Sequence, residues 1–178
     1  MSAPIIRMWV IIGHASMGKS TTIRHLISQH EGRGGIRNVL LRGGGILTLF
    51  AKIMSLQEGN QEEEAAKTPS EFVNLVQQQI TNVQNQNPAI SAGFFNVIFS
   101  LRYDPTSSGP HSYPYAYDYL SHFVGQGCQI ESLVLMAPDA AQEQLYQRFG
   151  SPTLSLHDPR GQPISRMVER VRNHFGWA

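Results

Sequence analysis

A glycine-rich turn between a strand-like run and a helix-like run constrains this sequence more than any other feature. Residues Gly13 to Ser20 read Gly-His-Ala-Ser-Met-Gly-Lys-Ser. Before this turn, Ile5 to Ile12 is apolar almost throughout, which predicts a strand buried on both faces of a parallel sheet. After it, residues 20–30 carry apolar side chains at helical spacing, which predicts a helix packed on that sheet. We therefore expect a strand–turn–helix unit near the start of the chain.

The fixed positions of this turn, G-x-x-x-x-G-K-[ST], have the chemistry of a polyphosphate site. Gly13 and Gly18 allow backbone conformations that a Cβ atom obstructs, and they let the chain approach an anion closely. Successive backbone N–H groups and the N-terminus of the helix then face that anion. Lys19 is expected to reach the β- and γ-phosphates, and the Ser20 hydroxyl to ligate Mg²⁺. The residues predicted to bind the phosphates are Gly13, His14, Ala15, Ser16, Met17, Gly18, Lys19, Ser20 and Thr21.

Apolar runs and amphipathic segments alternate along the rest of the chain. Further strands are predicted at residues 36–41, 46–54, 94–101, 130–136 and 153–156. Gly43-Gly44-Gly45 separates the first two of these, which indicates a β-hairpin or a strand with a glycine kink. Helices are predicted after the capping box Thr68 to Glu71, over 116–124, through 145–149 and over 164–175. The alternation predicts an α/β fold with a largely parallel sheet flanked by helices.

Length and composition exclude several classes of protein. The 178 residues fit a single domain, 1–178, in which 43–67 is a candidate insert that binds an acceptor or a partner protein. The formal net charge of +1 gives no general field that would attract nucleic acid or a membrane surface. Cys128 is the only cysteine of the sequence, so no disulfide framework exists. No apolar stretch reaches the roughly 20 residues of a membrane span, so we expect a cytoplasmic protein.

With these motifs the chain resembles the P-loop NTPase superfamily. The close match is the phosphate loop with its flanking strand and helix, and the order of elements extends a weaker resemblance over the whole chain. The resemblance implies a doubly wound sheet that binds a nucleoside triphosphate at the carboxyl edge of its strands. It also implies that ATP or another nucleoside triphosphate binds together with Mg²⁺.

Signatures of several branches of this superfamily are absent from the sequence. There is no Asn-Lys-x-Asp motif for guanine and no Leu-Ser-Gly-Gly-Gln signature. Asp158 to Gly161 matches the D-x-x-G pattern of switch GTPases, but it lies near the C-terminus, and its residues also favour a plain turn. The strand that ends at Leu101 carries Ser100 where an acidic Walker B residue is expected. This difference argues against efficient activation of water for hydrolysis.

The small size, the missing acid and the tail of the chain are similar to the nucleoside- and nucleotide-kinase group. In that group a strand leads into a short helix with an arginine, and a last strand, a base-contacting loop and a final helix follow. The resemblance implies that Arg148 is a lid arginine that neutralises the transferring phosphoryl group; alternatively, it is a surface arginine. It also implies that His157 to Gly161 lies against the base.

Two charged residues follow the predicted strand 94–101. Arg102 is a candidate for a bidentate grip on a substrate phosphate or carboxylate. Asp104 is a candidate ligand of Mg²⁺ through water, or a general base for an acceptor hydroxyl. Alternatively, the two side chains pair with each other, or Asp104 caps a turn. The three tyrosines of 113–117 either line an acceptor pocket or cover a surface.

We therefore expect a Mg²⁺- and ATP-dependent phosphotransferase with a kinase-like fold that acts on a small acceptor. Lys19, Arg102, Asp104 and Arg148 are its candidate catalytic residues, and Ser20 is its candidate metal ligand. The alternative is a nucleotide-gated switch or regulatory subunit that binds a macromolecular partner. A third interpretation is a degenerate domain that uses the loop for structure alone.

Overall fold

The computed structural model describes residues 3–27, 34–59, 65–87, 93–108 and 111–178. Strands and helices alternate along these segments, as the sequence predicts. In chain order the elements are β1 (Ile5–Ile12), α1 (Lys19–Leu26), β2 (Gly35–Leu40), β3 (Ile46–Ala51), α2 (Pro69–Gln86), β4 (Phe94–Leu101), β5 (Thr106–Ser108), β6 (His111–Tyr113), α3 (Ala116–Gly125), β7 (Gln129–Met136), α4 (Ala140–Gln147), β8 (Thr153–Leu156) and α5 (Ile164–Phe175).

Six of the strands form one sheet, in the order β2-β3-β4-β1-β7-β8. Neighbours from β3 to β8 pair in parallel, and only the edge strand β2 is antiparallel within this sheet. The predicted α/β class with a largely parallel sheet is therefore confirmed. The hairpin after the first helix is confirmed as well, because β2 and β3 pair across a turn in which Gly44 and Gly45 both have positive φ.

Helices cover both faces of the sheet, and β1 supplies residues to both hydrophobic cores. Met8, Val10 and Ile12 pack in the core that also contains the buried faces of α2, α3 and α4. Trp9 and Ile11 point the other way, into the core shared with α1 and α5. This alternation of side chains is the period of two expected for a strand that is buried on both sides. The central strand therefore holds the two helical layers together.

Local sequence signals explain where several helices begin. The Thr68 hydroxyl accepts from the Glu71 N–H, the Glu71 carboxylate accepts from the Thr68 N–H, and Pro69 is the first helical residue of α2, so the predicted capping box is confirmed. Asp139 and Gln142 form the same kind of box at the start of α4. The helix predicted over 116–124 is confirmed as α3, although Val124 lies outside its buried face and is 48% exposed.

Other differences from the prediction lie where chain ends and loops pack. The segment after Leu101 forms a short hairpin of β5 and β6, which the Pro- and Gly-rich sequence did not suggest. Trp177, beyond the last helix, is 1% exposed and packs on Trp9 with ring centroids 5.8 Å apart. The predicted end of the first helix near His30 and the acidic run 62–64 lie outside the described residues. Within the part of the chain that is described, no helix combines the length and apolar character that a bilayer crossing needs.

Candidate phosphate-binding site

The glycine-rich turn lies at the carboxyl edge of the sheet, between β1 and α1. The Gly13 N–H donates to the Leu101 carbonyl at 3.1 Å, which fixes the start of the turn to the end of β4. A Cβ atom at Gly13 would lie 2.9 Å from the Cβ of Met136, at the end of β7, so only glycine fits between these strands. The turn is therefore held by both strands that neighbour β1.

The backbone of this turn adopts the curled form that a phosphate loop requires. Gly18 has φ 85°, and Ser16, although not a glycine, has φ 59°. The Thr22 hydroxyl and the Thr22 N–H both donate to the Gly18 carbonyl at 2.8 Å, which directs the amide groups of the first helical turn towards the loop. The N–H groups from Gly18 to Thr21 donate to no acceptor within the described ranges. They form an open set of donors at a helix N-terminus.

Lys19 is folded into this loop and is 4% exposed. Its Nζ atom donates to the His14 carbonyl oxygen at 2.6 Å, so the ammonium group lies across the mouth of the turn. Burial lowers the pKa of Lys19 to about 8, while the Glu58 carboxylate raises it and the Arg102 guanidinium lowers it. The loop therefore contains a buried cation whose charge is only weakly compensated by its surroundings.

Arg102 lies close to this lysine, but its partner is not Asp104. The Arg102 Nη1 atom lies 3.1 Å from Glu58 Oε1. Glu58 comes from the segment after β3, and the neighbouring Gln57 side chain is 3% exposed. Gln57 accepts from the Arg102 N–H and donates to the Arg102 carbonyl, each at 2.9 Å. Gln57 and Glu58 are not among the residues predicted for the site, because they meet Arg102 across 45 and 44 residues of sequence and no local motif marks them.

Asp104 instead lies against the phosphate loop itself. Its Oδ2 atom is 3.0 Å from Nδ1 of His14, and both side chains are partly exposed. The His14 ring also meets the Tyr103 ring edge-on, with centroids 5.0 Å apart. Asp104 is thus a carboxylate at the rim of the loop.

Ser100 has the position expected for a Walker B acid, and its surroundings are neutral. The side chain is fully buried, and its Oγ atom lies 3.1 Å from Oγ of Ser55. A hydroxyl pair of this kind satisfies both groups without charge. No group of three or more His, Cys, Asp or Glu that could hold a metal ion occurs among the described residues.

The loop after β8 reaches the phosphate loop through an arginine that the sequence analysis did not select. Arg160 donates from Nη2 to the Ser16 carbonyl oxygen at 3.3 Å. The Asp158 carboxylate accepts from the Gly161 N–H at 2.9 Å, so the D-x-x-G sequence is a closed turn that presents Arg160. His157, in contrast, lies 3.3 Å from Glu143 of α4.

Arg148 is not brought to the phosphate loop, which corrects its assignment as a lid arginine. The residue is exposed and follows the last turn of α4. Three residues later, Ser151 donates to the carbonyl of Ile130, at the beginning of β7, whereas the loop packs against the end of that strand. The physical reason is that α4 runs back along the sheet away from its carboxyl edge. The alternative of a surface arginine fits this position.

The three tyrosines of 113–117 do not form one surface. Tyr113 is buried at the end of β6, and Tyr115 is 55% exposed. Tyr117 packs on Phe149 with ring centroids 5.1 Å apart, as part of an aromatic group that includes Tyr146. These positions give no common acceptor pocket for the three rings.

Comparisons of this chain with protein-family models, with curated proteins and with solved structures found no match. A phosphate-binding interpretation therefore rests on the sequence of residues 13–20 and on the geometry of the side chains around them. Both point to the same edge of the sheet.

Proposed function

We propose that this chain is a P-loop nucleotide-binding protein that binds ATP with Mg²⁺ and transfers its terminal phosphoryl group to a small acceptor. One observation carries the proposal: the open N–H groups from Gly18 to Thr21 and the buried Lys19 belong to the same turn at a helix N-terminus. Amide groups and an ammonium group in this arrangement favour a polyphosphate over other ligands. We assign binding of the phosphates to residues 13–21.

The strand order supports a doubly wound P-loop fold. From β1 the chain adds β3 and β4 on one side and β7 and β8 on the other, so β1 is the point at which the winding reverses. Ligands of open α/β sheets bind at such a point, beyond the carboxyl ends of the strands. The phosphate loop lies at this edge. Fold and motif therefore favour the same binding site.

The residues around the loop suit transfer better than hydrolysis. Phosphoryl transfer depends mainly on positioning and on neutralisation of charge. Lys19 and Arg160 are cations at the loop. We assign to the Ser20 hydroxyl the binding of a Mg²⁺ ion, which would neutralise charge on the phosphates. Asp104 at the rim is our candidate base for an acceptor hydroxyl, since it lies beside His14. The neutral Ser100 supplies no carboxylate to activate water.

One observation favours the alternative, a nucleotide-gated switch that binds a macromolecular partner. Gln57 joins the segment after β3 to Arg102 and, at 3.3 Å, to the Pro114 carbonyl just before α3. A charge bound beside Lys19 would act on these hydrogen bonds, and so nucleotide binding would affect both segments that Gln57 connects. Transfer to an acceptor distinguishes the enzyme from the switch.

The test is a single-turnover assay with γ-labelled ATP, Mg²⁺ and a panel of small hydroxyl and phosphate acceptors. We expect label in an acceptor with the wild-type protein, no transfer with Lys19→Ala, and at least about 100-fold slower transfer with Asp104→Asn, because a base contributes on this order. Nucleotide affinity of Asp104→Asn should stay close to that of the wild type. Binding of ATP without any labelled acceptor would contradict the enzymatic assignment and favour the switch.

A further inference from the structure

A carboxylate from a distant segment lies in the cluster of cations beside the phosphate loop. Glu58 lies 44 residues from Arg102 in sequence, and its Oε1 atom is 3.1 Å from the guanidinium. Both residues act electrostatically on the Lys19 ammonium, with opposite signs. Among the described residues, this cluster therefore contains two cations, one of them buried, and one carboxylate. Within the described chain, Glu58 is the acidic side chain paired with this arginine.

The backbone that carries Glu58 is firmly attached to the end of β4. The Lys52 N–H donates to the Ile98 carbonyl at 2.9 Å, and the Leu56 N–H donates to the Ser100 carbonyl at 3.1 Å. Gln57 adds its two hydrogen bonds to the backbone of Arg102. The position of Glu58 beside the loop is therefore built into the fold. It does not depend on a bound ligand.

The Glu58 side chain itself is less firmly held than its backbone. It is 30% exposed, and Arg102 is its ion-pair partner within the described segments. An exposed or half-exposed pair of this kind contributes little to stability, so a competing anion can replace one member. The buried Nε atom of Arg102 has no hydrogen-bond partner among the described residues. The guanidinium therefore has donor capacity that Glu58 does not use.

We propose that Glu58 holds the place of the terminal phosphate: it occupies Arg102 until a triphosphate binds, and it is then displaced so that Arg102 contacts the γ-phosphate. The inference rests on the proposed function, since it assumes a nucleotide in the phosphate loop. It follows that the Glu58 charge opposes the third phosphate more than the first two, because like charges in one cluster repel. Glu58 thereby tunes the preference of the site between triphosphate and diphosphate.

Titration calorimetry with Mg·ATP and Mg·ADP tests the proposed displacement of Glu58 from Arg102. Glu58→Gln removes the charge with little change in shape and is expected to tighten ATP binding by about fivefold or more, and ADP binding by less than about twofold. Arg102→Gln is expected to weaken ATP binding more than ADP binding. In the double variant the gain from Glu58→Gln should largely vanish, because Arg102 is then no longer there to be released.

Glu131→Gln is the matched control, since it removes the same charge from β7. Glu131 lies five residues before Met136, which is about 16 Å along a strand from the end that the loop contacts. The affinities of Glu131→Gln for Mg·ATP and Mg·ADP should equal those of the wild type. A measurement on the wild type alone uses the Arg102 Nε–H resonance, which should shift with ATP and stay near its free position with ADP.

The outcomes distinguish a failure of the proposed Glu58 displacement from a failure of the proposed nucleotide binding. If Glu58→Gln leaves ATP affinity unchanged or weakens it, while Lys19→Ala reduces ATP affinity strongly, the proposed Glu58 displacement is wrong and nucleotide binding stands. If wild type and Lys19→Ala bind ATP equally, or neither binds, both proposals are wrong. If the two nucleotides gain equally from Glu58→Gln, the charge acts on the site generally, and the specific displacement by the γ-phosphate is overturned.

Discussion

The Nζ atom of Lys19 lies 2.6 Å from the backbone carbonyl oxygen of His14, five positions earlier in the loop. This hydrogen bond gives the buried ammonium group an acceptor within the loop, and it brings no second charge into the loop. A carbonyl is a weaker partner for an ammonium than a phosphate oxygen is. The Lys19 ammonium group can therefore exchange the His14 carbonyl oxygen for a phosphate oxygen, which is the stronger acceptor.

The depressed pKa of Lys19 predicts that nucleotide binding takes up protons. In the free protein burial lowers this pKa to about 8, so near pH 8 about half of the molecules carry a neutral amine. A bound phosphate favours the ammonium form and raises the pKa. We expect uptake of about half a proton per ATP at pH 8 and almost none at pH 6 from this group, measured by calorimetry in buffers of different ionisation enthalpy.

Lys19→Arg is the control for this proton uptake, because a guanidinium does not titrate in this range. The difference in uptake between wild type and Lys19→Arg should appear at pH 8 and disappear at pH 6. Equal uptake by the two proteins at both pH values would show that the amine is already fully charged in the free state.

Gly13→Ala is predicted to damage the site more than Gly18→Ala. The added methyl group at Gly13 would lie 2.9 Å from Cβ of Met136, whereas at Gly18 the nearest atom is the flexible end of Met167 at 3.6 Å. At Gly18 the cost is mainly the positive φ, about 1 kcal/mol. We expect Gly13→Ala to lower the unfolding free energy by about 1–3 kcal/mol.

A second substitution sharpens this test of the Gly13 contact. Met136→Ala keeps the Cβ atom that causes the conflict, so it should not rescue Gly13→Ala. Chemical denaturation of the single and double variants gives the comparison. A double variant as stable as Met136→Ala alone would mean that the loop relaxes away from β7.

Arg160→Ala is predicted to weaken ATP binding, while Arg148→Ala is not. Arg160 donates to the Ser16 carbonyl in the phosphate loop, whereas Arg148 is an exposed residue after α4. Because the Arg160 contact is at the surface, we expect a loss of about threefold to tenfold in affinity. Fluorescent-nucleotide titration measures both variants. A loss for Arg148→Ala equal to that for Arg160→Ala would restore the lid-arginine interpretation.

The elements that could be predicted from sequence are those with strong local signals. The strand Phe94–Leu101 has the predicted limits, since a run that is apolar at six of its eight positions specifies a buried strand. The capping box at Thr68 likewise determined where α2 begins. The hairpin of β2 and β3 followed from its three glycines. The limits of β7 and β8 agree within one residue for the same reason.

The parts of the site that could not be predicted depend on contacts between distant segments. Glu58 and Arg102 meet only because β3 and β4 are adjacent and parallel, a pairing that no local pattern reveals. The short separation of Arg102 and Asp104 in sequence suggests the alternative in which these two side chains pair with each other. This pair is not formed, because Asp104 lies beside His14. The reach of Arg160 to Ser16 likewise depends on where β8 joins the sheet.

The most direct test of the central claim is calorimetry with Mg·ATP on wild type, Lys19→Ala and Lys67→Ala. Lys67 is the control lysine, since its hydrogen bonds to other described residues involve its backbone N–H and carbonyl. Loss of a charge-assisted bond to phosphate should weaken ATP binding by at least about tenfold in Lys19→Ala. Lys67→Ala should bind like the wild type, and all three proteins should show the same folded circular dichroism spectrum. Equal ATP affinity for wild type and a folded Lys19→Ala would contradict the account.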